Sequence, residues 1–588
     1  MRLHSPLSTA RIVAIAVRRP SIPLQREEEL MGRKLWLIAF LLASFRRASF
    51  AEERGLIAHW KLAGDAKDAS GQGNDGENHG ADLTAPGPDG NSHGAAKFDG
   101  KKAYIRVPAR KPLSLGKGDF TLAVWVHTDN RLDGAPGDLV SKYDPVARRG
   151  FNWCIKSGAG VTNSQANYRN LCFGIDAGSS PRWTDCGRPG NAVYVMAMAV
   201  HEGRLFVGTC EAGQDEAGHV YRYDSGSRWV DCGSPDKANA VTSLAIHGDK
   251  LYAGIGRYRL GGSSLPESTN RNLGGTIFRY DADAKWTNCG KLPRVEAVGG
   301  MVVYRGSLYA SSLYKPAGFF RYKGSQEWEA GPLPADGRRV VALGVYNGHL
   351  YATSYDACAV YRLNGDDWTE LGTLEPTGQS YAFETLAGEL YVATWPNGKV
   401  YRYGGQKNWI DAGRLGEEKE VMGMAVYNGK LYAGTLPLAE VHRYEGGTTW
   451  TPTGRLDRTP GVRYRRAWSM AVFQGRLFCG TLPSGRVHAL DAGCSVTFDR
   501  ELRPGWRHLA AVRQGGRLKL FVDGNLVATS SAFDPSAFDL TNDKPLTIGF
   551  GAYEYLRGSL SDLRLYGRAL AAEEIVSLAA PPRRPGRP

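Results

Sequence analysis

The hydrophobic and polar positions between residues 183 and 490 follow one pattern that recurs seven times. Each copy begins with a run of small apolar residues, passes through a short glycine-containing turn and continues with an alternating run, as in VMGMAVYNGKLYAGT from Val421. A third run that contains an arginine and a fourth run that starts at a tryptophan usually follow. Period-two alternation, aromatic residues and glycine turns predict four β-strands in each copy.

A leucine in the second run marks the period of the pattern. Successive copies lie 40 to 57 residues apart, and four short strands in a repeat of this length are typical of a β-propeller blade. The repeats therefore predict a seven-bladed β-propeller. The marker leucines are Leu205, Leu251, Leu308, Leu350, Leu390, Leu431 and Leu477.

The two ends of the repeat array predict how the ring closes. The seventh copy lacks a fourth-strand tryptophan, whereas an extra run with Trp183 precedes the first copy. A strand at Trp183 would complete the last blade beside the strand of Val487, which would leave no open sheet edge.

Two segments that flank the repeats look like the halves of a second domain. AAKFDGKKAYIRVP and DFTLAVWVHTD precede the repeats, and GWRHLAAV and RLKLFVDG follow them. Taken in this order, the strings resemble the LamG-like jelly-roll family of concanavalin A-like lectins and glucanases. The resemblance implies a β-sandwich that binds glycans or proteins, sometimes with calcium. Short alternating strands between Gly, Asp and Asn turns independently predict a sandwich.

The predicted fold class is therefore all-β, with a β-sandwich split by an inserted propeller. An insertion of this kind requires its entry and exit to lie side by side. The expected segments are an upstream extension with a signal peptide (1–51), the first half of the sandwich (52–178), the propeller (179–494), the second half of the sandwich (495–580) and a disordered tail (581–588).

The region 31–51 has the features of a secretory signal peptide. Two basic residues precede an apolar run from Leu35 to Ala43, and the small residues Ser49 and Ala51 follow. The apolar run is short for a bilayer span. We expect cleavage before Glu52 and a secreted or extracytoplasmic protein without a membrane span. The alternative is a membrane anchor.

The net charge of +14 does not change the predicted fold or the expected class of partner. Residues 1–51 contribute +6 and the last eight residues +3, so the body of the chain carries only +5. A weakly basic body without a basic helix argues against nucleic acid as a partner.

Cysteines and hard oxygen ligands suggest two further features. Cys154 and Cys172 lie on adjacent predicted strands, so a disulfide between them is a hypothesis for an oxidising compartment. For calcium, which the family resemblance implies, candidate ligands in the family-like segments are Asp68, Asn74 and Asp562. Asp68 has the alternative of stabilising a turn. The chain has no C-x-x-C and no zinc-type spacing.

Candidate catalytic chemistry is sparse. No nucleophile elbow or H-E-x-x-H motif occurs. The apolar first runs of the repeats contain one acid, Glu384, whereas glycoside hydrolysis uses two carboxyl groups. We expect no catalytic residue here, and we expect Glu384 to be a buried partner of an arginine.

The binding-site hypothesis rests on loops. Connections between second and third strands, and between blades, vary in length and share one face of a propeller, and such loops commonly carry function. Their aromatic and arginine side chains suit a glycan or an anionic polymer, with loop packing as the alternative. The candidates are Arg257, Tyr258, Arg259, Tyr314, Tyr355, Asp356, Trp395, Arg463, Tyr464, Arg465, Arg466 and Trp468.

The function expected from these observations is that of an exported, non-catalytic binding protein for carbohydrates or cell-surface glycans. Two alternatives stay open. One is a polysaccharide-active hydrolase or lyase with an accessory lectin-like domain, which a carboxylate pair or a Tyr–His pair at the propeller mouth would favour. The other is a structural surface scaffold for protein–protein interaction.

Overall fold

The computed structural model describes residues 54–129, 136–161 and 164–581, and the chain from Gly55 onward forms one compact unit. The predicted signal peptide, the start at Glu52 and most of the predicted tail lie outside the described residues. The described chain is all-β apart from one helix, α1 (Ala572–Leu578), and three short 3-10 helices at Lys111–Leu113, Leu260–Ser263 and Pro535–Ala537. None of these helices has the length and apolar character of a membrane span.

Fifteen strands flank the repeats on both sides. Those before them are β1 (Leu56–Trp60), β2 (Glu77–His79), β3 (Asp82–Ala85), β4 (Ala95–Asp99), β5 (Tyr104–Val107), β6 (Phe120–Thr128), β7 (Gly137–Asp144), β8 (Arg149–Val161) and β9 (Ser164–Ala177). The repeat region holds β10 to β37, given below. Those after it are β38 (Cys494–Phe498), β39 (Gly505–Gln514), β40 (Arg517–Val522), β41 (Asn525–Thr529), β42 (Leu546–Ile548) and β43 (Arg557–Tyr566).

The flanking strands form two antiparallel sheets, and each sheet takes strands from both sides of the repeats. One has the order β3-β4-β43-β6-β39-β40-β41, with β1 also paired to β43, and the other has the order β2-β5-β42-β7-β8-β9-β38. The residues between them form one apolar core that includes Trp60, Phe120, Trp153 and Phe173. These segments alternate between buried and exposed residues because one face of each strand meets this core.

The connection into the repeats lies beside the connection out of them. Strand β38 pairs with β9, and Cys494 is opposite Ile175. The chain therefore leaves the sandwich after β9 and returns to the neighbouring position after the last repeat.

The repeats fold into antiparallel sheets arranged as in a β-propeller. The strands are β10 (Arg182–Asp185), β11 (Tyr194–His201), β12 (Arg204–Cys210), β13 (Val220–Ser225), β14 (Arg228–Asp231), β15 (Ala240–His247), β16 (Lys250–Gly256), β17 (Thr276–Ala282), β18 (Lys285–Lys291), β19 (Val298–Tyr304), β20 (Ser307–Ser312), β21 (Phe319–Gly324), β22 (Glu327–Ala330), β23 (Leu343–Tyr346), β24 (His349–Thr353), β25 (Ala359–Asn364), β26 (Asp367–Thr373), β27 (Gln379–Leu386), β28 (Glu389–Trp395), β29 (Lys399–Tyr403), β30 (Trp409–Arg414), β31 (Glu420–Tyr427), β32 (Lys430–Leu436), β33 (Glu440–Gly446), β34 (Thr449–Arg455), β35 (Arg466–Phe473), β36 (Arg476–Leu482) and β37 (Val487–Asp491).

The number of separate sheets differs from the predicted seven. Five sheets have four strands each, and one sheet has eight strands, β11 to β18. The two halves of the eight-stranded sheet are joined by one residue pair, Cys210 with Ala240. Gly218 permits this close approach, since a Cβ atom there would lie 2.5 Å from the Cα of Ala240.

The predicted closure of the ring is confirmed at the level of strand pairing. Strand β10 pairs with β37, with Trp183 opposite Leu490 and Arg182 opposite Asp491. The strand that precedes the first repeat thus completes the sheet of the seventh.

A set of indole hydrogen bonds links each repeat to the preceding one. In six repeats the fourth-strand tryptophan donates Nε1–H to a backbone carbonyl of the preceding repeat, at 2.8–2.9 Å. The indole of Trp183 donates instead to Oγ1 of Thr453 at 3.3 Å. The fourth-strand tryptophans therefore connect neighbouring repeats through hydrogen bonds.

The hairpin β8–β9 extends from the sandwich into the centre of the repeats. Its two strands contact the first strand of every repeat, namely β11, β15, β19, β23, β27, β31 and β35. The Asn167 amide donates to the carbonyl of Val472 at 2.8 Å and accepts from its N–H at 3.0 Å. The hairpin therefore contacts the first strands of all seven repeats, and we call it the axle.

Candidate ligand-binding site

The variable loops surround a cavity of about 360 Å³ that is lined by residues from six of the seven repeats. This volume falls within the range of small-molecule sites. Half of the predicted binding residues line it: Tyr258, Arg259, Tyr314, Tyr355, Arg466 and Trp468. The sequence analysis did not name the seven other lining residues: Gly262, Glu267, Leu313, Arg339, Gln379, Tyr381 and Glu420.

The polar part of the lining comes largely from one position of the repeat. Gln379, Glu420 and Arg466 each begin the first strand of their repeat and lie opposite the last residue of the second strand. Arg339 aligns with them in the fourth repeat. Because all four line the cavity, side chains at equivalent places in four repeats determine its polarity. We call these four residues the polar floor.

Two members of the polar floor form a buried ion pair. Nη2 of Arg466 lies 3.6 Å from Oε2 of Glu420, and the side chains are 8% and 4% exposed. Burial raises the pKa of Glu420, although Arg466 and Tyr381 act in the opposite direction. Burial alone would lower the pKa of Arg466, but Glu420 and nearby tyrosines raise it. Arg466 therefore stays a cation beside a carboxyl group that is poorly solvated.

Aromatic side chains form the walls. The ring centroids of Tyr355 and Tyr381 are 4.9 Å apart, and those of Tyr381 and Trp468 are 6.2 Å apart. The Trp468 indole is held by a 3.0 Å hydrogen bond from Nε1 to a backbone carbonyl. At the rim, the guanidinium of Arg259 lies over the ring of Tyr314 at 4.4 Å.

Three buried polar atoms around the cavity have no hydrogen-bond partner within the described residues. They are Oε1 of Glu420, Nε of Arg466 and the hydroxyl of Tyr194. The Tyr194 ring packs against Trp468 at 5.5 Å. Leaving such groups unpaired costs on the order of 1–3 kcal/mol each. Ligand hydroxyls or ordered water would satisfy them.

The other six predicted residues are near the cavity but do not line it. Asp356 accepts a 2.9 Å bond from Nη2 of Arg339 and holds that side chain in the polar floor. Trp395 lies opposite Gln379 and is half-buried. The backbone N–H of Arg465 donates to the carbonyl of Pro437 at 3.0 Å. Arg257, Arg463 and Tyr464 are on the same loops.

The residues that the sequence analysis missed had a detectable signal. Loops were compared by length, whereas the first position of the first strand was not compared across repeats. That position holds Tyr, Arg, Gln, Glu and Arg in the first, fourth, fifth, sixth and seventh copies, whereas the residue that follows it is Val, Ala or Ser in all five.

The acid of the fifth repeat, Glu384, has a different partner from the one predicted. Its carboxylate lies 3.4 Å from Nζ of Lys156 on β8, not beside an arginine. The same Nζ donates to the carbonyl of Val426 at 3.1 Å and lies 4.4 Å from the ring centre of Tyr553. Glu384 therefore pairs with a residue of the β8–β9 hairpin, and it does not line the ligand cavity.

Cys154 and Cys172 are directly opposite each other on β8 and β9, as expected of a cross-strand pair. Both thiols are free in the structure, as are the other seven cysteines. The disulfide therefore stays a prediction.

Two of the three proposed calcium ligands, Asp68 and Asp562, are engaged in other contacts, whereas the buried Oδ1 of Asn74 has no hydrogen-bond partner among the described residues. The Asp68 carboxylate accepts the backbone N–H groups of His59, Ser70 and Asn74, each at 2.9 Å, which is a turn-stabilising arrangement. Asp562 lies 2.5 Å from Nε2 of His59. Burial would raise the pKa of Asp562, but His59 and a neighbouring arginine lower it to about 2. The calcium assignment is untested and stays a prediction.

Comparison with known family models matches one part of the chain. Residues 484–576 match the family model described as the concanavalin A-like lectin/glucanases superfamily. No curated protein matches the chain.

Among solved structures, similarity extends to an inactive virginiamycin B lyase from Staphylococcus aureus in complex with quinupristin. Its identity is 12% and its TM-score 0.42, over 53% of this chain and 99% of that one. A streptogramin B lyase has 11% identity and a TM-score of 0.43, over 53% and 98%. BamB from Moraxella catarrhalis has 13% identity and a TM-score of 0.33, over 63% and 97%. Similarity at this level transfers no activity to this chain.

Proposed function

We propose that the protein is an exported, non-catalytic binding protein that recognises a carbohydrate in the cavity of the variable face. The observation that carries this proposal is the combination of aromatic walls with a polar floor whose buried atoms lack partners. The volume of about 360 Å³ suits one or two sugar rings.

The chemistry of the lining supports a sugar over a purely apolar ligand. Aromatic rings such as Tyr381 and Trp468 offer flat apolar surface with limited loss of side-chain entropy. Arg466 supplies donors in fixed directions, and Glu420 supplies an acceptor. A hydroxyl-rich ring with apolar faces uses both kinds of group at once. An anionic sugar would gain further from Arg259, Arg339 and Arg466.

The wider architecture is part of the proposal. We infer that the eight-stranded sheet acts as two blades, which would make seven in all, because a single residue pair joins its halves. We infer that residues 179–494 are an insertion into a LamG-like sandwich formed by residues 52–178 and 495–580. Export by the segment 31–51 would bring the cavity into contact with extracellular or cell-surface glycans.

A glycan array probed with the full chain tests the proposal, followed by calorimetric titration of the strongest oligosaccharide. Tyr314→Ala should weaken that binding at least tenfold, because the half-buried Tyr314 ring lines the rim. The matched control is Tyr464→Ala, a half-buried tyrosine on the same face outside the lining, which should change affinity less than twofold.

The same experiment separates the alternative functions. Release of shortened or unsaturated oligosaccharides during incubation would replace the proposal with a polysaccharide-active enzyme. No array signal, or equal loss in the two variants, would contradict a glycan site in this cavity and favour a protein-binding scaffold.

A further inference from the structure

Glu418, Glu440 and His442 form a compact cluster in the sixth repeat, outside the cavity lining. One ligand atom from each residue lies within 4.8 Å of the other two. Oε2 of Glu440 is 3.1 Å from Nε2 of His442. Glu418 and His442 are 1% and 2% exposed, whereas the Glu440 side chain is 27% exposed. The cluster is therefore buried on two sides and reachable from solvent on the third.

Two atoms of the cluster lack hydrogen-bond partners within the described part of the chain. They are Oε1 of Glu418 and Nδ1 of His442. The second carboxylate oxygen of Glu418 accepts the backbone N–H of Leu438 at 3.2 Å. Burial, together with Glu440, raises the pKa of Glu418 to about 7, and burial lowers the pKa of His442.

In two other repeats the residue at the His442 position is a tyrosine, and its hydroxyl donates a hydrogen bond to a carboxylate. Tyr401 is at the His442 position of the fifth repeat, and its hydroxyl donates to Oε1 of Glu375 at 2.7 Å. In the fourth repeat Tyr361 donates to Oδ2 of Asp336 at 2.8 Å. The sixth repeat replaces the tyrosine by histidine, and its Glu440 occupies the position that is a lysine, Lys399, in the fifth.

We propose that Glu418, Glu440 and His442 bind one divalent transition-metal cation, with zinc or manganese as the best matches. One imidazole and two carboxylates suit these ions, and imidazole disfavours calcium. Metal–ligand bonds of about 2.1 Å would bring the ligand atoms to roughly 3.4 Å, so each side chain needs to move by about 1 Å or less. Water would complete the coordination on the exposed side of Glu440.

The cation would link two chain segments beside the ligand cavity. Glu418 is on the connection between the fifth and sixth repeats, two residues before Glu420 of the polar floor. Glu440 and His442 begin β33, on the far side of the loop at Leu438. The metal would therefore fix the position of the loop that carries Glu420, without contacting the sugar ligand itself.

Manganese titration of the full chain after chelator treatment tests the site, because Mn²⁺ has little affinity for the nine free thiols. We expect one tightly bound equivalent, with nitrogen hyperfine coupling from His442 in pulsed electron paramagnetic resonance. His442→Tyr should weaken binding at least tenfold and still fold, since it restores the tyrosine–carboxylate bond of the fifth repeat. Glu418→Gln should weaken binding similarly.

His488→Ala is the matched control. His488 takes the same position in the seventh repeat, but Arg486 replaces the neighbouring glutamate there. This variant should retain the bound equivalent and its nitrogen coupling. Absence of a bound equivalent in the unmodified chain, or binding that His442→Tyr leaves unchanged, would overturn the assignment. Both results are independent of the glycan array.

Discussion

Asp138 on β7 is a carboxyl group with almost no access to solvent, at the junction of the sandwich and the repeats. Its Oδ2 accepts the backbone N–H groups of Tyr553 and Glu554, each at 2.8 Å, and its Oδ1 has no partner among the described residues. Burial outweighs these bonds and the attraction of Lys156, and it raises the pKa of Asp138 to about 7.

This carboxyl group predicts a fall in stability as the pH rises. The folded chain holds the Asp138 proton up to about pH 7, whereas the unfolded chain loses it near the ordinary value of 3.8. The free energy of unfolding should therefore decrease between about pH 4 and pH 7 and then level off. Asp138→Asn should remove up to roughly 4 kcal/mol of this decrease, at about 1.4 kcal/mol per pKa unit.

Denaturant unfolding of the unmodified chain and of Asp138→Asn at several pH values provides the measurement. Asp144→Asn on the same strand is the control, because backbone hydrogen bonds overcome burial and lower the pKa of Asp144. That variant should lose stability near neutral pH. Parallel pH profiles for the unmodified chain and Asp138→Asn would contradict the prediction.

Lys156 and Glu384 give a second prediction at this scale. Their side chains are 5% and 3% exposed, so Lys156→Met would leave the Glu384 carboxylate buried without its cation. Loss of one partner of a buried pair costs about 3–5 kcal/mol. Lys156→Met with Glu384→Gln should recover much of this loss in a double-mutant cycle measured by denaturant unfolding. Additive losses would show that the pair is not coupled.

At the residue scale, the loop pattern indicated residues that line the cavity, such as Arg466 and Trp468, whereas no pattern indicates contacts between chain segments that meet only in space. Arg466 and Trp468 were identified from the loop that precedes them. Glu420 belongs to the same set but follows a short loop of ordinary length, so loop comparison passed over it. The partner of Glu384 comes from a strand 228 positions earlier, and no local pattern reports such a contact.

At the scale of elements, strand alternation predicted most of the repeat strands and the pairing of β10. It did not predict that two groups of four strands would share a sheet, because this depends on one backbone approach at Gly218. It also did not predict that the β8–β9 hairpin extends as far as the first strands of the repeats. The strands β8 and β9 have 13 and 14 residues, and both contact the first strands of the repeats.

The strand β10 gives a prediction about the ring. Trp183→Ala removes a half-buried indole that packs with the sixth and seventh sheets, so we expect a loss of about 2 kcal/mol. Limited proteolysis should then begin in the connections around β10 and β37, where the two ends of the array meet. Trp328→Ala, at the equivalent place within the array, is the control, and its first cleavage should be near β22. The same first cleavage site in the two variants would contradict a special role for β10.

At the scale of the whole molecule, the adjacent entry and exit predict that the repeats can be removed. Deletion of residues 181–492, which joins Ser180 to Gly493, keeps β9 beside β38 and keeps the shared core of the sandwich. We expect a folded sandwich that unfolds cooperatively. The hairpin beyond Lys156 should exchange its amide protons quickly, because its partners in the repeats are absent.

Circular dichroism during urea unfolding and hydrogen exchange provide the measurements. Shortening the hairpin between Lys156 and Asn167 in the deletion protein should raise its solubility without loss of the cooperative transition. An aggregated product in the shortened form as well would contradict the independence of the sandwich.

The axle has a consequence for the order of events during biosynthesis. The ribosome releases β8 and β9 before the first repeat, and it releases β38, which lies against β9, directly after the last one. The ring can therefore assemble around a hairpin that is already present, in the N-to-C direction in which nascent domains generally fold. The final edge strand of the sandwich joins only when the ring is complete. A chain that stops within the repeats therefore exposes the edge of β9 and also lacks β38 to β43, so neither sheet of its sandwich is complete.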